Sequence, residues 1–469
     1  MVTTDTFSDN LKKADITPAH KKKDPLDKTN YRPVSVLPSV SKLFEKLMQK
    51  QITEYMSEHL SPYLCGYRKG YNSQQALISL IESWRKHLDN KGFGGAVLMD
   101  LSKAFDTIKH DLLIAKLHAY GFEKKSLKLV YSYLNNRSHR TKINNDFSSW
   151  QELIQGVPQG SVLGPLLFNI YLNDLFFLPE STDVCNYADD TTFYTCDTDL
   201  KSLIQRLEHD SLLAIEWFEN NSMKLNEDKC HLLVSGYKFE NIWAKIGKAK
   251  IWESKSQKLL GVEIDRTLNF NDHVRTLCNK AGKKLSVLAR LSNFMSITQK
   301  RIIMKSFIES QFGYCPLVWM FHSRSLNNRI NHIHERALRI VYKDYYSSFE
   351  ELLEKDKSFT IHERNIQTLA IELFKIKTKA STNIMYDIFE RREVRYNLRS
   401  QTDFAGHNVN TVNYGINSLK MFATKVWNLV PQEIKESSSI EDFKINIRKW
   451  KPNCECYLCK KYVKHVGFV

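Results

Sequence analysis

Two aspartates stand side by side in Tyr187-Ala188-Asp189-Asp190, within a run extending from Val184 to Tyr194. Aromatic and β-branched residues on both sides predict a strand, a tight turn and a second strand, with residues 188–190 at the turn. Adjacent carboxylates at a hairpin tip concentrate negative charge that a metal ion or a nearby base must offset. A third acid holds a matching place upstream, where Gly95-Ala96-Val97-Leu98-Met99-Asp100 is a short apolar run ending in a carboxylate. Acids at the ends of two neighbouring strands can hold two Mg²⁺ ions for phosphoryl or nucleotidyl transfer. Taken alone, an Asp-Asp pair marks an exposed turn at least as well. The other motifs decide between the two.

At 469 residues and 42% hydrophobic content, the chain is long enough for two or three domains with real cores. No stretch approaches the roughly 18 uninterrupted apolar residues of a membrane span. The most hydrophobic region, residues 163–178, is broken by Asn169, Asn173 and Asp174, and no membrane partner is expected. The N-terminus is polar and nine cysteines are mostly scattered, which predicts a reduced intracellular protein that is not secreted. The net charge of +16 is uneven: residues 1–265 sum to +1 and residues 266–469 to +15. Such asymmetry predicts a polyanion gripped by the C-terminal half, with general solubility charge as the plainer account.

Along the chain, residues 1–40 read as polar and turn-rich, and residues 39–55 as a helix with Leu43, Phe44, Leu47, Met48 and Ile52 on one face. Further helices are expected over residues 73–88, 161–175 and 199–218, and mostly helix from Asn271 onward. Helices combined with acids on two strands of one sheet predict an α+β fold.

Leu98-Met99-Asp100-Leu101-Ser102-Lys103-Ala104-Phe105-Asp106, Gly156-Val157-Pro158-Gln159-Gly160 and Tyr187-Ala188-Asp189-Asp190 resemble successive palm motifs of reverse transcriptases. The resemblance is to polymerases of non-LTR (LINE-type, jockey-like) retrotransposons. Four more segments, at residues 30–35, 66–73, 224–229 and 259–262, follow the same pattern in the same order. Seven motifs in register make coincidence very small. The resemblance implies a right-hand palm with partial fingers over residues 1–265, a helical thumb-like region over 266–380 and a basic C-terminal region over 381–469. It implies an RNA-directed DNA polymerase whose partners are an RNA template, a DNA primer or target, and deoxynucleoside triphosphates. A group II intron-type maturase and a non-catalytic nucleic-acid-binding relic are the alternatives. The chain begins almost at the first motif, which reads as a fragment of a longer open reading frame or a decayed or domesticated copy.

By this resemblance Asp100 and Asp189 are ligands of two Mg²⁺ ions, with Asp190 beside them and the Leu101 carbonyl as a further ligand. Asp106 is as much a structural cap as a metal neighbour. Phe105 is the expected steric gate against a 2′-hydroxyl, with ordinary core packing as the alternative. Gln159 and Gly160 are expected at the nucleotide or template base. Arg68 and Lys69 either contact incoming phosphates or face solvent. Lys229, or Lys224, is the candidate proton donor to leaving pyrophosphate.

In the basic half, Arg329, Arg336 and Arg339 share one helical face with His332, opposite Leu326, Ile330 and Ile333. This face is expected to meet a phosphate backbone or simply water. Near the C-terminus, Cys454, Cys456, Cys459 and His465 could supply four Zn²⁺ ligands, or the cysteines could simply be buried.

Overall fold

A computed structural model describes residues 5–21, 24–237, 241–389, 403–404 and 408–459. At its centre lies a four-stranded antiparallel sheet in the order His231–Ser235, Phe93–Met99, Asp190–Asp197, Asp183–Tyr187. The central strand carries Gly94-Gly95, and alternate strand residues point to opposite faces. A Cβ on Gly94 would lie 2.6 Å from the Trp84 ring, and one on Gly95 2.8 Å from Leu203. Each glycine therefore lets a helix sit close to one face: Ser73–Asp89 on the Trp84 side, Leu200–Asn220 on the other.

Two hydrophobic cores flank this sheet. One contains Leu113, Leu117, Tyr133, Leu167, Phe168 and Phe218. The other joins Ile78 and Trp84 to Val274, Leu285, Ile330, Leu369 and Trp427, so the C-terminal helices are packed onto the sheet's own helix layer. Polar contacts reinforce that packing. Glu82 accepts the N–H groups of Leu419 and Lys420, each at 3.1 Å, and Asp89 accepts those of Asn410 and Thr411. From residue 271 on, the regular elements among the described residues are helical, as expected.

The N-terminal 40 residues differ from their polar, turn-rich reading. Strands Lys13–His20 and Tyr31–Val36 pair antiparallel, and Arg137–Ile143 adds parallel to the first. Pro18 and Pro33 face each other in that register. The Lys21 N–H to Asn30 carbonyl bond sets the ladder so that this pair needs neither missing N–H. The helix expected at residues 39–55 spans Ser39–Met56, but Leu43 and Leu47 are exposed. Its buried face carries Ser41, Glu45, Ile52 and Met56. Fully buried Glu45 accepts the N–H groups of Val162 at 2.6 Å and Leu163 at 3.1 Å. It thereby caps the N-terminus of the Gly164–Leu172 helix, where a negative charge is favoured. Among the described residues, no helix is long and apolar enough to cross a membrane.

Candidate active site

The acidic turn is as tight as its sequence suggests. Tyr187 pairs with Asp190, leaving Ala188 and Asp189 as the two-residue link, with Ala188 in the left-handed region at φ 59°. Three contacts hold this conformation. Asn186 donates through Nδ2 to the carbonyl of Ala188 at 3.0 Å, to that of Asp190 at 3.3 Å and to Thr191 Oγ1 at 3.1 Å. Gly66 lies so close that a Cβ there would stand 2.3 Å from the Ala188 nitrogen. Sequence gives neither residue this role: Asn186 acts through bonds within the hairpin itself, and Gly66 through a close approach that only the tertiary fold creates.

Met99 pairs with Thr191, so extending that register by one residue sets Asp100 beside Asp190. The three carboxylates feel one another: Asp190 is pushed up to about 6 by burial and by the negative charges of Asp189 and Asp100. Among the described residues, one ammonium is paired with them, Lys229 Nζ lying 2.9 Å from Asp100 Oδ2. Lys224 instead is exposed on the short ladder that pairs Lys224–Leu225 with Leu101–Ser102. Leu101 itself is buried, and the Asp100 carbonyl accepts the Asn226 N–H at 2.9 Å.

Phe105 stands on the short Ala104–Asp106 turn, stacked on Phe168 with centroids 4.5 Å apart. Tyr67 meets its ring edge-on at 5.9 Å. Tyr67 is held above its usual range by burial and by the charge of Asp189, which places it at the acids as well as at Phe105. The Gly156–Gly160 loop lies against this turn: Gly156 N–H donates to Ile108 and Val157 N–H to Phe105. Gln159 Nε2 donates to Asp106 Oδ1 at 2.9 Å, and the Gln159 carbonyl accepts the Ser35 N–H at 2.7 Å. Asp106 thus holds the Gln159 side chain, a contact that neither the cap nor the metal role expected for it includes. A Cβ on Gly160 would lie 2.8 Å from the Ser35 carbonyl oxygen, which fixes that loop against the N-terminal sheet.

Two of the predicted basic contacts are otherwise engaged. Arg68 donates to the carbonyls of Ser61 at 2.6 Å and Leu64 at 3.3 Å, and its guanidinium lies over Tyr71. It ties its own loop together, while Lys69 is exposed. On the Arg324–Tyr342 helix, Arg329, His332 and Arg336 are exposed and Leu326, Ile330, Ile333, Ala337 and Val341 buried. Arg339 departs from the expected row: its side chain is 13% exposed and bonded at 2.6 Å to Glu335, which is 4% exposed. A buried acid one turn away draws that guanidinium inward. His465 lies outside the described residues.

A family model described as reverse transcriptase (RNA-dependent DNA polymerase) matches residues 20–264. The chain is 27% identical over 356 residues to the probable RNA-directed DNA polymerase from transposon BS of Drosophila melanogaster, a match covering 71% of this chain and 39% of that protein. It is 26% identical over 342 residues to the RNA-directed DNA polymerase from mobile element jockey of the same fly, covering 70% and 37%. A Candida tropicalis telomerase structure, in complex with a fragment of telomeric RNA, is a looser likeness: 12% identity and a TM-score of 0.42, over 93% of this chain and 64% of that one. The chain spans under two fifths of the length of the two fly proteins. With more than half of its residues under the family model, this chain belongs to the reverse transcriptase (RNA-dependent DNA polymerase) family, and its likeness is to the jockey-like, non-LTR retrotransposon members.

Proposed function

We propose that the chain is the polymerase portion of an RNA-directed DNA polymerase, adding deoxynucleotides to a primer 3′-end as directed by an RNA template. The observation that carries this reading is the meeting of Asp100, at the end of one strand, with Asp189 and Asp190 at the turn beside it. In the reaction, the primer 3′-hydroxyl attacks the α-phosphorus of the incoming nucleotide. A phosphodiester bond forms as the hydroxyl gives up its proton to solvent, and pyrophosphate departs with the electron pair of the broken P–O bond.

The donor set suits a hard divalent cation: three carboxylates whose mutual repulsion is visible at Asp190, with one ammonium against them. Asp100 and Asp189 would hold Mg²⁺, with Asp190 adjacent and the Leu101 carbonyl as a further oxygen. Two bound ions would neutralise phosphate charge and favour the ionised primer hydroxyl. Phe105, braced by Phe168, lies beneath the sugar and refuses a 2′-hydroxyl. Gln159, oriented by Asp106, and Gly160 meet the nucleotide or its template base. Lys229 gives its proton to the departing pyrophosphate, and Lys69 contacts its phosphates. Residues 1–265 form fingers and palm, 266–380 a thumb-like region and 381–469 a basic C-terminal region. Arg329 and Arg336 in the thumb-like region hold the template–primer backbone.

Primer extension on a generic RNA template with Mg²⁺ tests the reading. Asp100→Asn and Asp189→Asn should each abolish incorporation while leaving RNA binding and folding largely intact. Near-normal incorporation by both variants would overturn it.

A further inference from the structure

Far from the acids, three cysteines and a histidine converge between the chain's last described segment and a helix almost a hundred residues earlier. His362 is the second residue of the Ile361–Lys377 helix, and its ring is 3% exposed. Its Nε2 lies 3.2 Å from Cys456 Sγ, and Cys456 Sγ lies 3.4 Å from Cys459 Sγ. The ligand atoms of His362, Cys456 and Cys459 fall within 4.8 Å of one another, and Cys454, whose thiol interacts electrostatically with Cys456 and Cys459, stands beside this group. The other ring nitrogen, Nδ1, is buried with no hydrogen-bond partner. A buried imidazole aimed at a trio of thiols is poorly explained by packing alone.

We infer that Cys454, Cys456, Cys459 and His362 form a structural zinc site that staples the chain's C-terminal segment to this helix. Three thiols and one imidazole make a closed structural zinc set. A tetrahedral ion with Zn–S near 2.3 Å and Zn–N near 2.0 Å spaces sulfurs about 3.8 Å apart and nitrogen about 3.6 Å from sulfur. The His362–Cys456 and Cys456–Cys459 separations need to open by only a few tenths of an ångström, and Cys454 completes the set by moving in toward them. Binding releases the thiol protons to solvent, with no change in oxidation state.

The segment is already placed for this without the ion. Gln367 Nε2 donates to the Trp450 carbonyl at 2.8 Å, Asn327 Nδ2 to that of Leu458 at 3.2 Å, and Tyr457 Oη to that of His322 at 2.9 Å. These bonds come from two helices and the residues before them, so the site would lock a docking that the backbone begins. The assignment replaces the tail histidine expected from sequence with one contributed by the helical region. It stands independently of the polymerase reading.

The test uses the full chain purified under reducing conditions without chelators. Elemental analysis should find about one zinc per chain, lost in Cys456→Ser/Cys459→Ser. With Co²⁺ in place of zinc, the wild type should show a tetrahedral d–d spectrum with thiolate charge-transfer bands. His362→Cys, which keeps four ligands, should retain the ion and raise the charge-transfer intensity by about a third, one thiolate in three. His465→Ala should leave metal content and spectrum unchanged. The inference fails if the wild type carries no zinc, including a protein with Cys456 and Cys459 joined as a disulfide. It fails equally if His465→Ala loses the ion while His362→Cys leaves the cobalt spectrum unaltered.

Discussion

Lys229 Nζ rests 2.9 Å from Asp100 Oδ2, joining a lysine after the Leu200–Asn220 helix to the acid at the end of the Phe93–Met99 strand. The resemblance names Lys229, with Lys224 as the alternative, for the proton donor; of the two, Lys229 is the one bonded to the carboxylates. Lys229→Gln should lower the rate of single-nucleotide incorporation by about a hundredfold or more, the usual scale of general acid–base catalysis. Lys224→Gln should change it less than about threefold. Equal losses in rapid-quench measurements would remove the distinction.

Phe105 is held between the Phe168 face and the Tyr67 edge, so its position is set by packing as well as by chain direction. If that ring is the sugar gate, Phe105→Val opens the space that a 2′-hydroxyl would fill. Relief of such a clash is worth roughly 1–3 kcal/mol, so ribonucleotide use relative to deoxynucleotide use should rise about 10- to 100-fold. An unchanged ratio, in a variant that still extends primers, would return Phe105 to the core.

The acids, the Gly156–Gly160 loop and the central strands were legible because each is written in contiguous residues. What is not legible depends on which partner a side chain finds in the fold, near or far along the chain. Arg68 spends its charge on carbonyls of its own loop, and Arg339 on buried Glu335, although a helical projection puts it in the exposed row. Nothing in the local pattern of its helix marks Glu45, yet it caps another helix more than a hundred residues away. The strands around Pro18 and Pro33 are masked in the sequence because proline argues against a strand until its register is known.

Gly66 illustrates how such contacts would govern activity. An added methyl would press on Ala188 N at 2.3 Å and Ala188 Cα at 2.8 Å, both backbone atoms of the acidic turn. Gly66→Ala should therefore displace Asp189, and a shift near 1 Å can cost about a hundredfold in rate. Gly282, mid-helix with open space around it, is the control. Gly282→Ala should leave incorporation unchanged and stabilise the fold by roughly 0.5–1 kcal/mol. Parallel extension and denaturant curves check both; undiminished extension by Gly66→Ala would show that the turn tolerates the shift.

His273 should make stability fall in mild acid. Burial, with Lys280 and Lys258 nearby, lowers it to about 4, and its Nδ1 accepts the Glu263 N–H at 3.3 Å beside the Trp319 ring. The unfolded chain binds this proton more readily than the folded one. Its stabilising contribution is therefore complete above the unfolded value near 6.5 and is lost as pH falls toward 4. The difference corresponds to roughly 3 kcal/mol. His273→Asn, which keeps an acceptor, should lose less stability across that window in urea melts. Parallel curves for the two proteins would assign the acid sensitivity elsewhere.

The exposed row on the Arg324–Tyr342 helix gives the last expectation. Arg329 Nη2 donates to Asn279 Oδ1 at 2.7 Å, a neutral partner that leaves its positive charge uncompensated. Arg336 is exposed on the same face. Residues 266–469 carry +15 of the chain's +16, whereas the acids sit in a nearly neutral half, so a duplex held at those acids needs its cations from here. Replacing Arg329 and Arg336 with Gln should weaken template–primer binding without altering base selectivity. At just under one released counterion per lost phosphate contact, the slope of log affinity against log salt should flatten by about 2. Arg339→Gln separates charge from stability. It removes a partner of buried Glu335, so it should destabilise the fold by on the order of 2 kcal/mol while leaving the salt slope alone. Binding measured across a salt series decides the matter: a slope untouched in the folded double variant would mean that this row faces water.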